Sequence, residues 1–166
     1  MSQAVMRELV TGKGAHADAL ACLEGIPLAA AGAQVAGFPH TLYGLVWHAA
    51  YWMDYEIRRI EGHSPAYPDH FEASWPETGA PRDEAEWGKA VEWFRRGIAA
   101  LLAHAELSPA EAARAVARMT ETANQGDNVA DIVWQTLVHN SYHVGQIVLL
   151  RQALGAWPPP AGRDTW

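Results

Sequence analysis

Apolar residues recur at three- and four-residue spacing in the long segments of the chain, and no stretch shows the sustained alternation of a half-buried strand. This spacing predicts an all-α fold, in which helices bury their apolar faces against one another in a bundle. We expect four principal helices, at about 16–24, 41–60, 83–102 and 127–155. A shorter accessory helix is expected at about 108–119.

Residue types that begin and end helices support these boundaries. Thr41 and the acidic turn at 83–86 are typical of helix N-termini, and the run 108–111 combines a serine cap with proline at the first helical position. Gly155 and the prolines after it end the last helix. The connection 63–82 is rich in proline and glycine but contains aromatic residues, which indicates an ordered surface loop that could cover a cleft.

The composition indicates a single globular domain over residues 1–166. Hydrophobic residues make up 49% and charged residues 19% of the chain, which is enough apolar material for a core. The formal net charge is −7 and no basic cluster exceeds two adjacent arginines, so nucleic acid is not an expected partner. The alanine-rich stretch 28–37 is too short to span a bilayer, and the first ten residues lack a secretory pattern. We therefore expect a cytoplasmic protein that does not bind membranes.

Two histidines in the last predicted helix are candidate metal ligands. His139 and His143 lie four residues apart, which places their side chains one helical turn, roughly 6 Å, from each other. His48 in the second predicted helix is a candidate third ligand, and three imidazoles leave coordination positions for water or substrate. Because Cys22 is the single cysteine, a metal ion must be held by nitrogen and oxygen. The remaining histidines are interpreted as surface, capping or loop residues: His16, His40, His63, His70 and His104.

The same pattern also has a purely structural interpretation. A buried histidine is more often a hydrogen-bonded core residue than a ligand, and a pair four residues apart also arises by chance. Asn140 and Gln146 are candidates to orient the imidazole rings, although an inward asparagine in a bundle more often satisfies a neighbouring helix. Trp47, Tyr51 and Trp52 are candidates either for core anchors or for the wall of a substrate pocket.

Several segments taken together resemble the DinB/YfiT-like superfamily. Its specific signature is a histidine in the second helix combined with a late HxxxHxGQ segment. The segments that carry the resemblance are 14–20, 40–48, 139–147 and 151–155. The resemblance implies an up-down-down-up four-helix bundle, with His48, His139 and His143 as the ligands of one divalent ion.

The resemblance also bears on the ion and on the oligomeric state. Zinc and nickel are the first expectations for a three-histidine site, followed by iron and manganese. Relatives suggest a homodimer, and exposed aromatic residues would support one. The candidate exposed aromatics are Trp87, Trp93 and Trp134, although each could equally pack internally.

The superfamily shares a fold more than a reaction, so the chemistry stays open. The resemblance implies a metal-dependent enzyme acting on a small molecule, and we favour S-transfer from a low-molecular-weight thiol such as mycothiol or bacillithiol. A bound ion can also lower the pKa of water, so a metal-dependent hydrolase is the alternative. The competing class is a non-catalytic metal- or ligand-binding protein, for example one that responds to stress.

No catalytic residue is evident in the sequence. Asn140 follows His139 at the position where a zincin-type peptidase carries glutamate, which disfavours that protease chemistry. Asp54 and Glu56 lie near His48 in sequence but are expected on other faces of the helix. The prediction therefore covers the metal ligands and leaves the catalytic base unknown.

Overall fold

Helices account for the regular structure of this protein, which confirms the predicted all-α class. The computed structural model describes residues 3–117, 128–160 and 162, and within these ranges it contains no strand. The helices are α1 (Gln3–Thr11), α2 (Leu28–Ala31), α3 (Leu42–Ile60), α4 (Glu84–Ala105), α5 (Pro109–Ala112) and α6 (Val129–Ala153). Short 3-10 turns lie at Ala21–Leu23 and Phe71–Ser74.

Side-chain caps fix where α3 and α6 begin. The Thr41 hydroxyl accepts a hydrogen bond from the Gly44 backbone N–H at 3.1 Å, as its residue type predicts. Asn128 accepts one from the Asp131 N–H at 3.0 Å, so α6 starts at Val129. The predicted start at about 127 lies outside the described residues.

α3 occupies the centre of the fold because it packs against both α4 and α6. Its apolar residues join those of α4 and α6 in one continuous core, and α1 packs on the other side of α4. At Gly97, α4 lies close against α3, since a Cβ atom there would lie 2.8 Å from the Met53 methyl carbon. This close packing sets the position of α3, which carries one of the candidate ligands.

At the acidic start of α4, one of the two hydrogen bonds of the predicted capping box forms. Asp83 accepts a hydrogen bond from the Glu86 N–H at 2.8 Å. The Glu86 carboxylate binds the backbone N–H and the side chain of Arg82, so it does not turn back to Asp83. The complete capping box occurs at Ser108 and Glu111 instead.

The predicted helix at 16–24 is wrong, because the structure places only the 3-10 turn Ala21–Leu23 there. The Asp18 carboxylate accepts hydrogen bonds from the N–H groups of Leu20 and Ala21, and Gly25 ends the segment soon afterwards. Too few residues remain for a stable helix, and α1 lies earlier in the chain. The predicted helix at 108–119 is also too long, since α5 ends at Ala112; residues beyond 117 lie outside the described range.

The tryptophans differ in their exposure. Trp87 is buried in the core and Trp93 is half-buried, so of the two alternatives Trp87 packs internally. Trp93 lies against Trp47 and Tyr51 of α3, with ring centroids 5.3 and 6.5 Å away. Trp134 on α6 is 43% exposed.

Among the described helices, none is both long and apolar enough to cross a membrane.

Candidate metal centre

His48, His139 and His143 converge between α3 and α6. His139 and His143 lie one turn apart on α6 with ring centroids separated by 4.4 Å. The ring of His48 on α3 lies 5.3 Å from that of His139 and 4.9 Å from that of His143. One nitrogen from each ring can be chosen so that all three lie within 4.8 Å of one another. The packing of α3 on α6 therefore forms a cluster with three nitrogen donors.

Hydrogen bonds set the tautomers of two of these rings. The Ser74 backbone carbonyl can only accept, so it takes a proton from Nδ1 of His48 at 2.9 Å. The Gln146 side-chain carbonyl likewise accepts from Nδ1 of His143 at 2.7 Å. Both neutral rings then carry the free lone pair on Nε2. Such outer hydrogen bonds are the usual way in which proteins orient histidine ligands.

The spacing of the two donor atoms on α6 fits one metal ion. Nε2 of His139 lies 3.1 Å from Nε2 of His143. Two nitrogens bound to one ion at about 2.1 Å, with a bond angle between a right angle and the tetrahedral angle, are about 3.0–3.4 Å apart. This spacing agrees with a site for a divalent ion.

Burial keeps the three imidazoles neutral at neutral pH. Loss of hydration lowers the pKa of His48 to about 4, although its hydrogen bond with Ser74 acts in the opposite direction. Burial and the neighbouring rings lower the pKa of His139 to about 4 as well. The pKa of His143 is also lowered, again chiefly by burial. Neutral imidazole is the form that binds metal, so protonation does not compete with a divalent ion near pH 7.

Comparison with known protein families identifies the chain. A family model described as the DinB superfamily matches residues 13–147, which include all three clustered histidines. The chain belongs to the DinB superfamily. Comparisons with curated proteins and with solved structures give no match.

In this DinB-superfamily chain, residues of the loop between α3 and α4 pack around His48. The Trp75 ring stacks on His48 with a centroid distance of 3.9 Å, and His40 stacks on the opposite face of Trp75 at 3.7 Å. The preceding residue, Ser74, supplies the carbonyl that holds His48. The sequence indicated an ordered loop that could cover a cleft, but no local pattern placed Ser74, Trp75 or His40 beside a ligand.

The residues predicted to surround the ligands lie in two separate places in the structure. Gln146 binds His143 directly, and Trp52 lies beside His48 with ring centroids 6.4 Å apart. Trp47 and Tyr51 instead line a groove of about 320 Å³ on another face of α3, together with Trp93. The helical period explains this separation, because residues 47 and 51 lie about 100° and 60° around the axis from residue 48. Only Trp52 of the three aromatics contacts a clustered histidine.

Within the described residues, the Asn140 side chain makes no hydrogen bond to a neighbouring helix. Its side chain is 5% exposed, and neither its amide nitrogen nor its carbonyl oxygen has a hydrogen-bond partner. The described residues therefore provide no partner on a neighbouring helix for this inward asparagine. The amide lies close enough to His139 to raise the pKa of that ring, against the larger effect of burial.

We expect Trp75→Ala to weaken divalent-metal binding by about 10-fold or more, the lower end of the effect of residues that orient metal ligands. The substitution removes the ring packed on His48 and frees the Ser74 carbonyl that fixes its tautomer. A competition titration against a chromophoric chelator measures the change. Phe71→Ala is the control, because Phe71 belongs to the same loop but is 75% exposed. Equal affinity of the Trp75 variant and the wild type would show that the stack does not orient His48.

Proposed function

We propose that this protein is a divalent-metal-dependent enzyme that transfers a low-molecular-weight thiol to a small electrophilic molecule. The observation that carries the proposal is the convergence of His48, His139 and His143, with their ligand atoms within 4.8 Å of one another. Three protein ligands are typical of catalytic metal sites, which keep a coordination position for substrate. Membership of the DinB superfamily supports the same site.

The donor set defines which ions suit the site. It consists of three imidazole nitrogens, with no thiolate and no carboxylate in the cluster formed by the described residues. Imidazole donors suit zinc and nickel, and also iron, whereas manganese prefers oxygen ligands. We propose zinc or nickel as the resident ion. Once bound, such an ion lowers the pKa of a thiol or of a water molecule and acts as a Lewis acid.

The carboxylates of α3 are the main reason to prefer thiol transfer over hydrolysis. Attack by water is normally assisted by a general base, whereas a deprotonated thiol is itself a strong nucleophile. Glu56 lies in a buried ion pair with Arg59 at 2.6 Å, and Asp54 lines the separate groove beside Trp47. Neither carboxylate is placed to take a proton beside the three histidines.

The chain's own groups would hold and shield a substrate at this site. Ser74 and Gln146 keep the imidazole rings oriented through their Nδ1 protons. The indoles of Trp52 and Trp75 lie against His48 and limit access of water from that side. Apolar aromatic walls with a few oriented polar groups are typical of small-molecule sites. We further propose that α1, α3, α4 and α6 form the up-down-down-up bundle that the superfamily resemblance implies.

Cobalt substitution tests the open metal site. Cobalt(II) reports its ligands through its visible absorption spectrum and replaces zinc in sites of this kind. We expect 2-mercaptoethanol and cysteine to change the spectrum of the cobalt-loaded protein, and the His139→Ala variant to give no specific cobalt spectrum. His63→Ala is the matched control, because His63 is exposed and lies outside the cluster.

The other outcomes separate the alternative functions. A spectrum insensitive to thiols, with turnover of a simple ester such as p-nitrophenyl acetate, would favour the metal-dependent hydrolase. If the spectrum did not change with thiols, water exchange or substrates, the result would favour a non-catalytic metal-binding protein. Either result would overturn the proposed thiol transfer.

A further inference from the structure

The groove beside Trp47 runs along one face of α3 and is bordered by α4 and by the start of the loop that follows α3. Its lining residues on α3 recur at the helical spacing, at positions 47, 51, 54, 55 and 58. Trp93 lines it from α4, and Pro65 and Ala66 line it from the loop. Its volume of about 320 Å³ is at the lower end of the range for small-molecule sites. We call it the α3 groove.

Three aromatic rings form an apolar wall of the α3 groove. The rings of Trp47 and Tyr51 lie nearly parallel, with an angle of 16° and centroids 5.5 Å apart. The Trp93 ring stands at 83° to that of Trp47, with a centroid distance of 5.3 Å. All three side chains are half-buried, so part of each stays accessible in the groove. Rings arranged in this way favour contact with a flat apolar group.

Two side chains of opposite charge share the groove with these rings. Asp54 and Arg58 lie four residues apart on α3, in the order that normally favours an ion pair on a helix. Within the part of the chain that the structure describes, neither side chain forms an ion pair or a hydrogen bond, whereas Arg82 and Glu86 at the same spacing are paired at 3.1 Å. Each charge in the groove can therefore bind an external group of opposite sign.

We propose that the α3 groove binds a small zwitterion, namely an α-amino acid with an aromatic side chain. The ammonium group of the ligand would bind the Asp54 carboxylate, and its carboxylate would bind the Arg58 guanidinium. Both groups of an α-amino acid are attached to one carbon, so they fit between two side chains one helical turn apart. The ring of the ligand would lie against the aromatic wall. This assignment goes beyond the proposed function and does not depend on it.

Ligands with only one charge fit the α3 groove less well. An organic cation would pair with Asp54 and contact the aromatic rings, but it would place a positive charge beside Arg58. An aromatic carboxylate would pair with Arg58 and be repelled by Asp54. A neutral aromatic compound would use neither charge. Both side chains gain a partner only when the ligand carries both charges.

The α3 groove is separate from the metal centre. The residues that line it include none of the three clustered histidines. The Tyr55 hydroxyl donates to the Pro65 carbonyl at 3.3 Å and holds the start of the loop on α3, while Ser74 further along the same loop binds His48. Because an amino acid can also coordinate a metal ion through its nitrogen and oxygen atoms, a test of the groove must exclude binding at the metal centre.

Calorimetric titration with L-phenylalanine tests the proposed site. We expect the wild-type protein to be half-saturated at about 1 mM or below, an affinity within reach of a ligand of this size. Two analogues each lack one charge: 2-phenylethylamine lacks the carboxylate, and 3-phenylpropionate lacks the ammonium group. Each should bind about 10-fold more weakly or worse, because a hydrogen bond to a charged group contributes at least that much.

Conservative variants identify the groups that bind the ligand. Asp54→Asn and Arg58→Gln should each weaken phenylalanine binding by about 10-fold or more, and Asp54→Asn should not weaken binding of 3-phenylpropionate. Arg96→Gln is the matched control, because Arg96 is exposed and lies outside the groove. The His139→Ala variant should bind phenylalanine as the wild type does, since His139 belongs to the metal centre. Circular dichroism shows whether each variant keeps its fold.

Several results would overturn the proposal. One is the absence of saturation at about 10 mM phenylalanine. Equal affinity for phenylalanine and both analogues would indicate a purely apolar groove, and binding of 2-phenylethylamine that matches phenylalanine and ignores Arg58→Gln would indicate a site for organic cations. Loss of phenylalanine binding in His139→Ala would place the amino acid on the metal ion. None of these results decides the proposed thiol transfer, which the cobalt spectrum tests.

Discussion

Replacing His139 with alanine is expected to weaken divalent-metal binding by more than about 100-fold, because residues that merely orient a ligand already contribute 10–100-fold. His139 supplies the Nε2 atom that lies 3.1 Å from Nε2 of His143, so its loss removes one donor from a cluster of three. Two imidazoles on different helices remain, and two ligands seldom hold a divalent ion against dialysis. Elemental analysis of untagged protein, dialysed without chelator, measures the bound ion directly.

The matched variants make this result specific. His48→Ala and His143→Ala should lose the ion in the same way, whereas His63→Ala should retain about one ion per chain, as expected for a residue outside the cluster. Thermal melting of the metal-free proteins separates lost coordination from lost folding. If all three cluster variants kept the ion, the metal would be bound at another site of the protein. Absence of metal from the wild type, even after reconstitution, would support the structural interpretation of these histidines.

Replacing Arg151 with methionine should lower the free energy of unfolding by about 3 kcal/mol, because it leaves one buried and one part-buried carbonyl without their donors. Arg151 is 1% exposed at the end of α6. Its guanidinium donates to the Cys22 carbonyl at 2.6 Å and to the Ala156 carbonyl at 2.9 and 2.6 Å. These bonds join α6 to the turn at Ala21–Leu23 and to the segment that follows the helix.

Urea unfolding followed by circular dichroism measures this loss. Methionine keeps much of the aliphatic volume, so the change reports the hydrogen bonds more than the packing. Arg58→Met on α3 is the control, because Arg58 is exposed and should change stability by less than about 0.5 kcal/mol. Equal stability of the Arg151 variant and the wild type would mean that other groups or water satisfy the two carbonyls.

The long helices could be predicted from the sequence because their signals are local. The apolar period and the Thr41 cap define α3, and similar signals define α4 and α6. The first segment was predicted wrongly at 16–24, where the pattern of Ala19, Leu20 and Leu23 resembles a helical face. The Asp18 carboxylate binds backbone N–H groups there and favours a turn instead.

The metal site could be predicted only in part from residue spacing. Helical geometry brings His139 and His143 together wherever α6 packs, so their pairing is a local property. His48 was named as a candidate third ligand and the resemblance to the superfamily supported it, but no periodicity relates α3 to α6. The separation of Trp52 from Trp47 and Tyr51 also follows from the helical period, but which face meets the site depends on how α3 packs.

The sequence by itself determined the helical class, the family, the three long helices and the paired histidines of α6, because each depends on neighbours within a few turns or on motif identity. The tertiary structure decided the rest: the meeting of His48 with that pair, the docking of Ser74 and Trp75 on His48, and the exposure of Val138, Tyr142 and Leu149 on α6. These features depend on how side chains from distant segments pack together, for example Gly97 against Met53. Local patterns do not contain that information.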